Sequence, residues 1–547
     1  MASLQTLRVV NGVSIGPFTI GASIHHVLGR VKTDPAAWPK IHVKYSTSEP
    51  LLHPIVVELP ANGLRLNFDP AEQRLRFIEV LDFSKVRLQH GEHTINRLPA
   101  GNDEIRALPT ATAQAGPDFK HVYKEFGPSN PGEYVGDDGK AGTYCISFKE
   151  GIAFLFPITA PEGFSKLDFV RQVAVLDSSA CGPATAMVVF RGRSWPLARR
   201  DIYTADLSDL PLAPGATGGR REGMPAETEL ARVRDRGRVE LLRRDVPPFM
   251  IRLGETTQQD LLTELGPPDS MFKQDRSKAV GGRKRRTSSM SSRRSGLQLD
   301  GHDRTGGSGR ALSETDSSDA WSDEDEDEDE TVVNEAEEDA DVGTWWNYYS
   351  HGIDVLIAQA HQVPARSPTA PQDDENDVEE PYRNVAIARN HLTVTKICIH
   401  GNIPGSWQFN RHRRLRWTLE SWPLPEHAQA TFAPVPDGPR PLTSETKFRD
   451  IQSHLRAVFA DTYASPLEEA EQQQPQAFNR DWGENACLGN SVELLGGFED
   501  GGSRKRGASA YGAESEYVRL GEVLVYGFPG LAFEVLKNGC VAWLQVW

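Results

Sequence analysis

Cys398, His400 and His412 have side chains and spacing that could do chemistry. Cys398 and His400 stand two apart in an alternating run, so a strand would put both on one face. With His412 they could form a metal site or a Cys–His nucleophile. A zinc site normally takes four ligands, and the neighbourhood holds no second cysteine. A strand cysteine followed by a loop histidine fits core plus surface, so the reading adopted is no metal and no cofactor. The turn His400-Gly401-Asn402-Ile403-Pro404-Gly405 is explained by its Pro-Gly pair. His25 and His26 are adjacent in a helical pattern. They diverge by about 100° around the axis and are read as surface. The chain has no P-loop, no dinucleotide glycine motif after a strand and no GxSxG elbow. Catalysis is therefore not expected; a hydrolase using Cys398 or His400 is the rival reading.

Trp345, Trp346, Trp407 and Trp417 cluster in the same region, beside the basic run Arg411–Arg416. Sheet packing accounts for such tryptophans as readily as an exposed patch does. Trp345, Trp346, Trp407, Arg411, Arg413 and Arg414 are the candidate contacts for a partner or a membrane.

The elements that must position these residues recur along 547 positions. Four glycines each lead an alternating apolar run: Gly63 to Phe68, Gly151 to Phe156, Gly352 to Ile357 and Gly530 to Val535. Period two marks a half-buried strand, and a leading glycine suits a tight turn with positive φ. A helix precedes each unit. Ser23 caps the first and Thr256 or Thr257 the third, where Leu261, Leu262 and Leu265 are assigned one face. The expected fold is α+β, with repeated helix-plus-antiparallel-hairpin units packed as a β-rich scaffold. The units span 10–115, 116–207, 246–420 and 421–547, with a linker at 208–245. Ala186 to Leu207 holds one strand and then irregular sequence. Insertions at 273–342 and 362–389 and a stretch at about 465–518 are read as disordered.

Net charge is −16, but sixteen acids lie between Ser313 and Asp341. Removing them from the 76 leaves 60 acids against 60 Lys and Arg, so the folded part is near neutral and nothing calls for nucleic acid. The first insertion is a charge diblock, basic at Arg283–Arg286 and acidic at Asp323–Glu330. Ser288 after the arginines and Ser322 before the acids are candidate phosphosites. Five dispersed cysteines, no CxxC pair, no leader-like apolar core at the N-terminus and no membrane-length apolar run point to a reducing, cytoplasmic setting. The chain ends on a strand at Trp547 with little tail.

Several segments in one order resemble the eukaryotic phagosome assembly factor 1 family. They are Tyr45-Ser46, Gly63 to Asp69, Gln73-Arg74-Leu75, Ile78-Glu79-Val80, Phe126-Gly127-Pro128 with Pro131-Gly132, Leu265-Gly266-Pro267-Pro268, Gly352 to Leu356, His400 to Gly405, Phe409-Asn410 with Arg414, and Phe533-Glu534-Val535. The resemblance implies a non-catalytic adaptor in autophagy. The implied partner is a WD-repeat propeller protein resembling breast carcinoma amplified sequence 3, at the forming phagophore, with phosphoinositide recognition falling largely to the propeller. It carries over no catalytic residue. The alternative is a peripheral phosphoinositide-binding or vesicle-trafficking module acting without that partner, through Arg411–Arg416.

Overall fold

The computed structural model describes residues 4–96, 115–136, 141–148, 151–159, 164, 167–205, 227–244, 246–273, 343–359, 392–420, 422–423, 441–479, 492–495 and 522–547. The insertions read at 273–342 and 362–389, with Ser288 and Ser322, lie outside these residues save Lys273.

Four units build the fold, and the glycines explain why they look alike. Gly63, Gly151, Gly352 and Gly530 all have positive φ, from 67° to 80°. Each leads the third of the four strands that its unit contributes to a large sheet, and a helix precedes the first of the four. At Gly352, φ is +76° and an added Cβ would collide with the carbonyl oxygen of Arg413, so no other residue fits without a shift.

Unit one contributes strands Ile41–Lys44, Ile55–Leu59, Leu64–Phe68 and Leu75–Val80; unit two contributes Glu133–Val135, Ala141–Phe148, Ile152–Thr159 and Ala186–Phe190. Their fourth strands pair antiparallel, Val80 opposite Met187, to join eight strands into one sheet. Units three and four repeat this. Ser270–Lys273, Thr344–Tyr348, Ile353–Gln359 and Leu392–His400 join Gln476–Asn479, Glu522–Phe528, Leu531–Leu536 and Val541–Val546, with Ile399 opposite Leu544. The strand order is the same in both sheets. The first sheet gains a ninth strand, Val492–Leu495, parallel to Ile41–Lys44.

A smaller sheet accompanies each half and repeats as well. Thr6–Val10 runs parallel to Arg87–His90, and Thr228–Arg234 runs parallel to Arg416–Leu419. The second pair corrects the linker reading of 208–245. Thr228–Arg234 and Arg238–Arg243 are strands whose alternate residues Ala231, Val233, Val239 and Leu241 are fully buried. Arginines at the intervening positions masked the pattern.

The helices start where expected. Ser23 Oγ accepts from His26 N–H at 3.2 Å, and Thr257 forms a reciprocal capping box with Asp260. Leu261 and Leu265 are buried beneath the third helix, whereas Leu262 is 40% exposed: it lies about 100° round the axis from Leu261. Two further readings are corrected. Residues after Phe190 include a helix, Trp195–Asp201, with Pro196 in its first turn. The stretch from 465 includes a helix, Pro466–Gln472, capped by Ser465 Oγ, and the strands Gln476–Asn479 and Val492–Leu495.

Candidate functional site

Strand pairing lays out one row of side chains across the second sheet: Asn347, Asp354, Cys398, Gln545 and Ala532, each opposite the next. The matching row in the first sheet is Glu58, Arg65, Glu79, Val188 and Ala153. There, Lys44, Glu58, Arg65 and Glu79 form a ladder of ion pairs at 2.7 to 3.6 Å. In the second sheet the carboxylate of Asp354 has no arginine opposite it. It receives two histidines instead.

His400 lies two residues beyond Cys398 on the same strand face. Its Nε2 is 2.9 Å from Asp354 Oδ2, and its Nδ1 is 3.2 Å from Gln408 Oε1. His412 comes from the loop 401–415, with Nε2 2.8 Å from Asp354 Oδ1. The two imidazoles stack with centroids 3.7 Å apart and planes 7° from parallel, and Tyr349 meets His412 edge-on. Burial is the main cause holding His412 down at about 4, so this ring is neutral at physiological pH. Burial works to raise Asp354, but hydrogen bonds from both histidines outweigh it and hold the carboxyl well below the usual carboxylate range.

These three residues sit in a cleft of about 260 Å³ lined also by Phe272, Trp345, Trp407, Trp543 and Arg411. Of the candidate contacts, Trp345, Trp407 and Arg411 line this cleft. Trp346, Arg413 and Arg414 are buried and present little surface. Trp346 packs into the core of the second half. Arg413 meets Glu227 at 2.8 Å, and Arg414 donates to the carbonyls of Ala71 and Gly401 and meets Glu445 at 3.1 Å. Arg416 is also paired, with Glu445 and Glu72. The basic run is thus largely spent on internal pairs, which removes most of the residues that motivated lipid binding without a partner.

Cys398 Sγ–H donates to Gln545 Oε1 at 3.4 Å, and burial pushes its thiol above the ordinary range. His25, read as surface, reaches the loop instead: its Nε2 is 3.2 Å from the Arg411 carbonyl oxygen.

The loop that delivers His412 is fixed at both ends. Asn402 and Asn410 have positive φ, and Asn402 Oδ1 accepts from the Asn410 N–H at 2.6 Å. Gln73, itself at φ 56°, exchanges two 2.8 Å hydrogen bonds with Asn402. Phe409 inserts into the core of the first half, 2% exposed. The Asp354–His400–His412 cluster therefore depends on contacts between the halves. Sequence reading missed Asp354 because it lies 46 and 58 residues from its histidines. Its one local signal is polarity within the apolar run Ile353 to Ile357.

The family model described as phagosome assembly factor 1 matches residues 14–295 and 387–547. The chain belongs to the phagosome assembly factor 1 family. His400 and His412 lie in the second matched range and Asp354 between the two ranges. A PHAF1 protein of Arabidopsis thaliana is 34% identical over 147 residues, 27% of this chain and 31% of the relative. One of Drosophila melanogaster is 25% identical over 279 residues, 49% of this chain and 58% of the relative. One of Caenorhabditis elegans is 29% identical over 140 residues, 26% of this chain and 29% of the relative. The matched segments thus span from 29% to 58% of these relatives' own lengths. No solved structure matches the chain.

Proposed function

We propose that this chain is a non-catalytic adaptor in autophagy that associates with a WD-repeat propeller partner at the forming phagophore. Family membership across 14–295 and 387–547 carries the reading, since those ranges hold most of the described scaffold. The architecture supports it. Two large sheets whose halves are joined by the buried Gln73–Asn402 pair make a platform, and the row equivalent to Asp354 in the first sheet is satisfied internally by ion pairs. Contact with membrane is assigned to the partner, because Arg413, Arg414 and Arg416 are paired within the chain. No helix among the described residues is long and apolar enough to cross a membrane.

The test is co-purification of the full chain with a WD-repeat propeller protein from starved cells, with imaging of a tagged copy. Stable association and starvation-dependent puncta on phagophores are expected. A chain that reaches phagophores in cells lacking the propeller protein, and that floats with phosphoinositide vesicles alone, would overturn the adaptor reading in favour of an autonomous lipid-binding module.

A further inference from the structure

The two halves differ at one sheet edge. Ile41–Lys44 in unit one and Ser270–Lys273 in unit three hold the same place, at the end of the eight-strand order common to both large sheets. In the first sheet that strand is closed from outside by Val492–Leu495, which runs parallel to it with Leu494 opposite Val43. In the second sheet, among the described residues, no strand lies outside Ser270–Lys273. The far ends of the two sheets, Glu133–Val135 and Gln476–Asn479, are alike in being outermost.

Ser270–Lys273 is built to accept a further strand. The Asp269 N–H bonds the Asn347 carbonyl oxygen at 2.8 Å. Backbone groups alternate in direction along a strand, so those of Ser270 and Phe272 point away from the sheet. Ser270 Oγ lies 2.8 Å from Tyr349 Oη, and the Phe272 ring stacks on Trp345 at 6.5 Å, which puts both side chains on the cleft face. Met271 therefore takes the core face. On that face of the unit-one strand Ile41 and Val43 are fully buried, whereas Met271 is 62% exposed. Native edges are normally guarded by charge, proline or a bulge. Ser270, Met271 and Phe272 carry neither charge nor proline.

The cleft face adds a charge. Phe272 lines the cleft together with Trp345, Trp407 and Arg411. Arg411 is exposed and has no ion pair among the described residues. The first half shows the kind of segment that fits such an edge: Val492 and Leu494 stand opposite Ile41 and Val43, and Glu493 stands opposite His42, in register with the outer row at Glu58.

We propose that the open side of Ser270–Lys273 is a docking edge for an extended segment of a partner protein, which adds as a ninth, parallel strand with an apolar residue against Met271 and an acid toward Arg411. Main-chain bonds supply affinity in this mode, and the alternate side chains supply selectivity. The edge would serve any protein offering such a segment, whether or not the chain works as an adaptor.

The probe is a fluorescein-labelled peptide of residues 490–497, the sequence that closes the first sheet, titrated with the full chain and followed by anisotropy. Saturable binding at one site is expected, with amide hydrogen exchange slowed at Ser270 and Phe272. Phe272→Pro removes an outward N–H and should weaken binding at least about 10-fold, as should Met271→Lys on the core face. Glu493→Lys in the peptide should weaken binding by about 2- to 5-fold, and Arg411→Ala in the protein should remove that difference. Circular dichroism checks that the variants are folded. Wild-type protein that shows no saturable binding would overturn the proposal, and this result does not depend on any variant folding. Equal binding by wild type and the folded edge variants would overturn it too, as would slowed exchange confined to Ile41–Lys44, which would put the peptide on the first sheet. Concentration-dependent self-association that Phe272→Pro abolishes would assign the edge to a second copy of the chain and overturn the partner reading.

Discussion

His351 shows how one buried side chain sets a response to pH. It lies 2.9 Å from Thr228 Oγ1 beneath the second half, and burial is the main cause holding it down at about 4. Arg413 and Arg243 act in the same direction, while Asp269 and Glu227 oppose them. Between about pH 6.5 and 4 the unfolded chain binds a proton that the folded chain refuses, so stability falls as the solution is acidified through that window. At 1.36 kcal/mol per unit the loss reaches about 3 kcal/mol. His351→Asn should therefore flatten the decline of denaturant midpoint between pH 6.5 and 4.5 relative to wild type. An unchanged slope would show that His351 titrates alike in both states. Gly352 offers a second test. An alanine there must take φ near +76° and meet the Arg413 carbonyl, so Gly352→Ala should cost at least about 2 kcal/mol in equilibrium unfolding.

Among elements, the loop 401–415 stands apart, because it is at once a support of the Asp354 cluster and a clamp between the halves. Truncating its anchor, Phe409→Ala, should cost about 3 to 5 kcal/mol, since the side chain sits in a closed apolar core. The Gln73–Asn402 pair should show a coupling energy of about 0.5 to 3 kcal/mol in a double-mutant cycle, measured with Gln73→Ala and Asn402→Gly; additive effects would mean that the two bonds do not act as a clamp. This loop also marks where sequence reading stopped. Ser23, Thr257 and the glycine-led strands were legible because each rule behind them is local: a cap accepts from a residue three along, and a strand alternates. Thr228–Arg243 was missed because arginines at the alternate positions read as linker. Asp354 is not legible in the sequence, and neither is the burial of the candidate contacts Arg413 and Arg414, because their partners are distant in sequence: Glu227 lies far upstream of Arg413, and Ala71 is 343 residues from Arg414. Charge alone does not say whether an arginine faces water or a buried carboxylate.

For the whole molecule, four units arranged as two sheets of like order give a scaffold that tolerates additions at its hairpin tips. Ser270–Lys273 and Thr344–Tyr348 are neighbours in the second sheet, although 70 residues separate their facing ends. Lengthening a loop costs free energy only logarithmically. Replacing 274–342 by a short Gly-Ser turn should leave the thermal midpoint within a few degrees of wild type while removing the basic and acidic blocks. A collapse of cooperative unfolding would instead assign that segment a share in the core.

The strand Val492–Leu495 and the side chain of Phe409 complete the first half, yet both belong to the later part of the polypeptide. During synthesis on the ribosome the opening sheet therefore waits, with one edge bare and a gap in its interior, until more than four hundred further residues have followed its earliest strand. Chaperone engagement of the nascent chain should persist through that interval and lapse once Leu495 has left the exit tunnel.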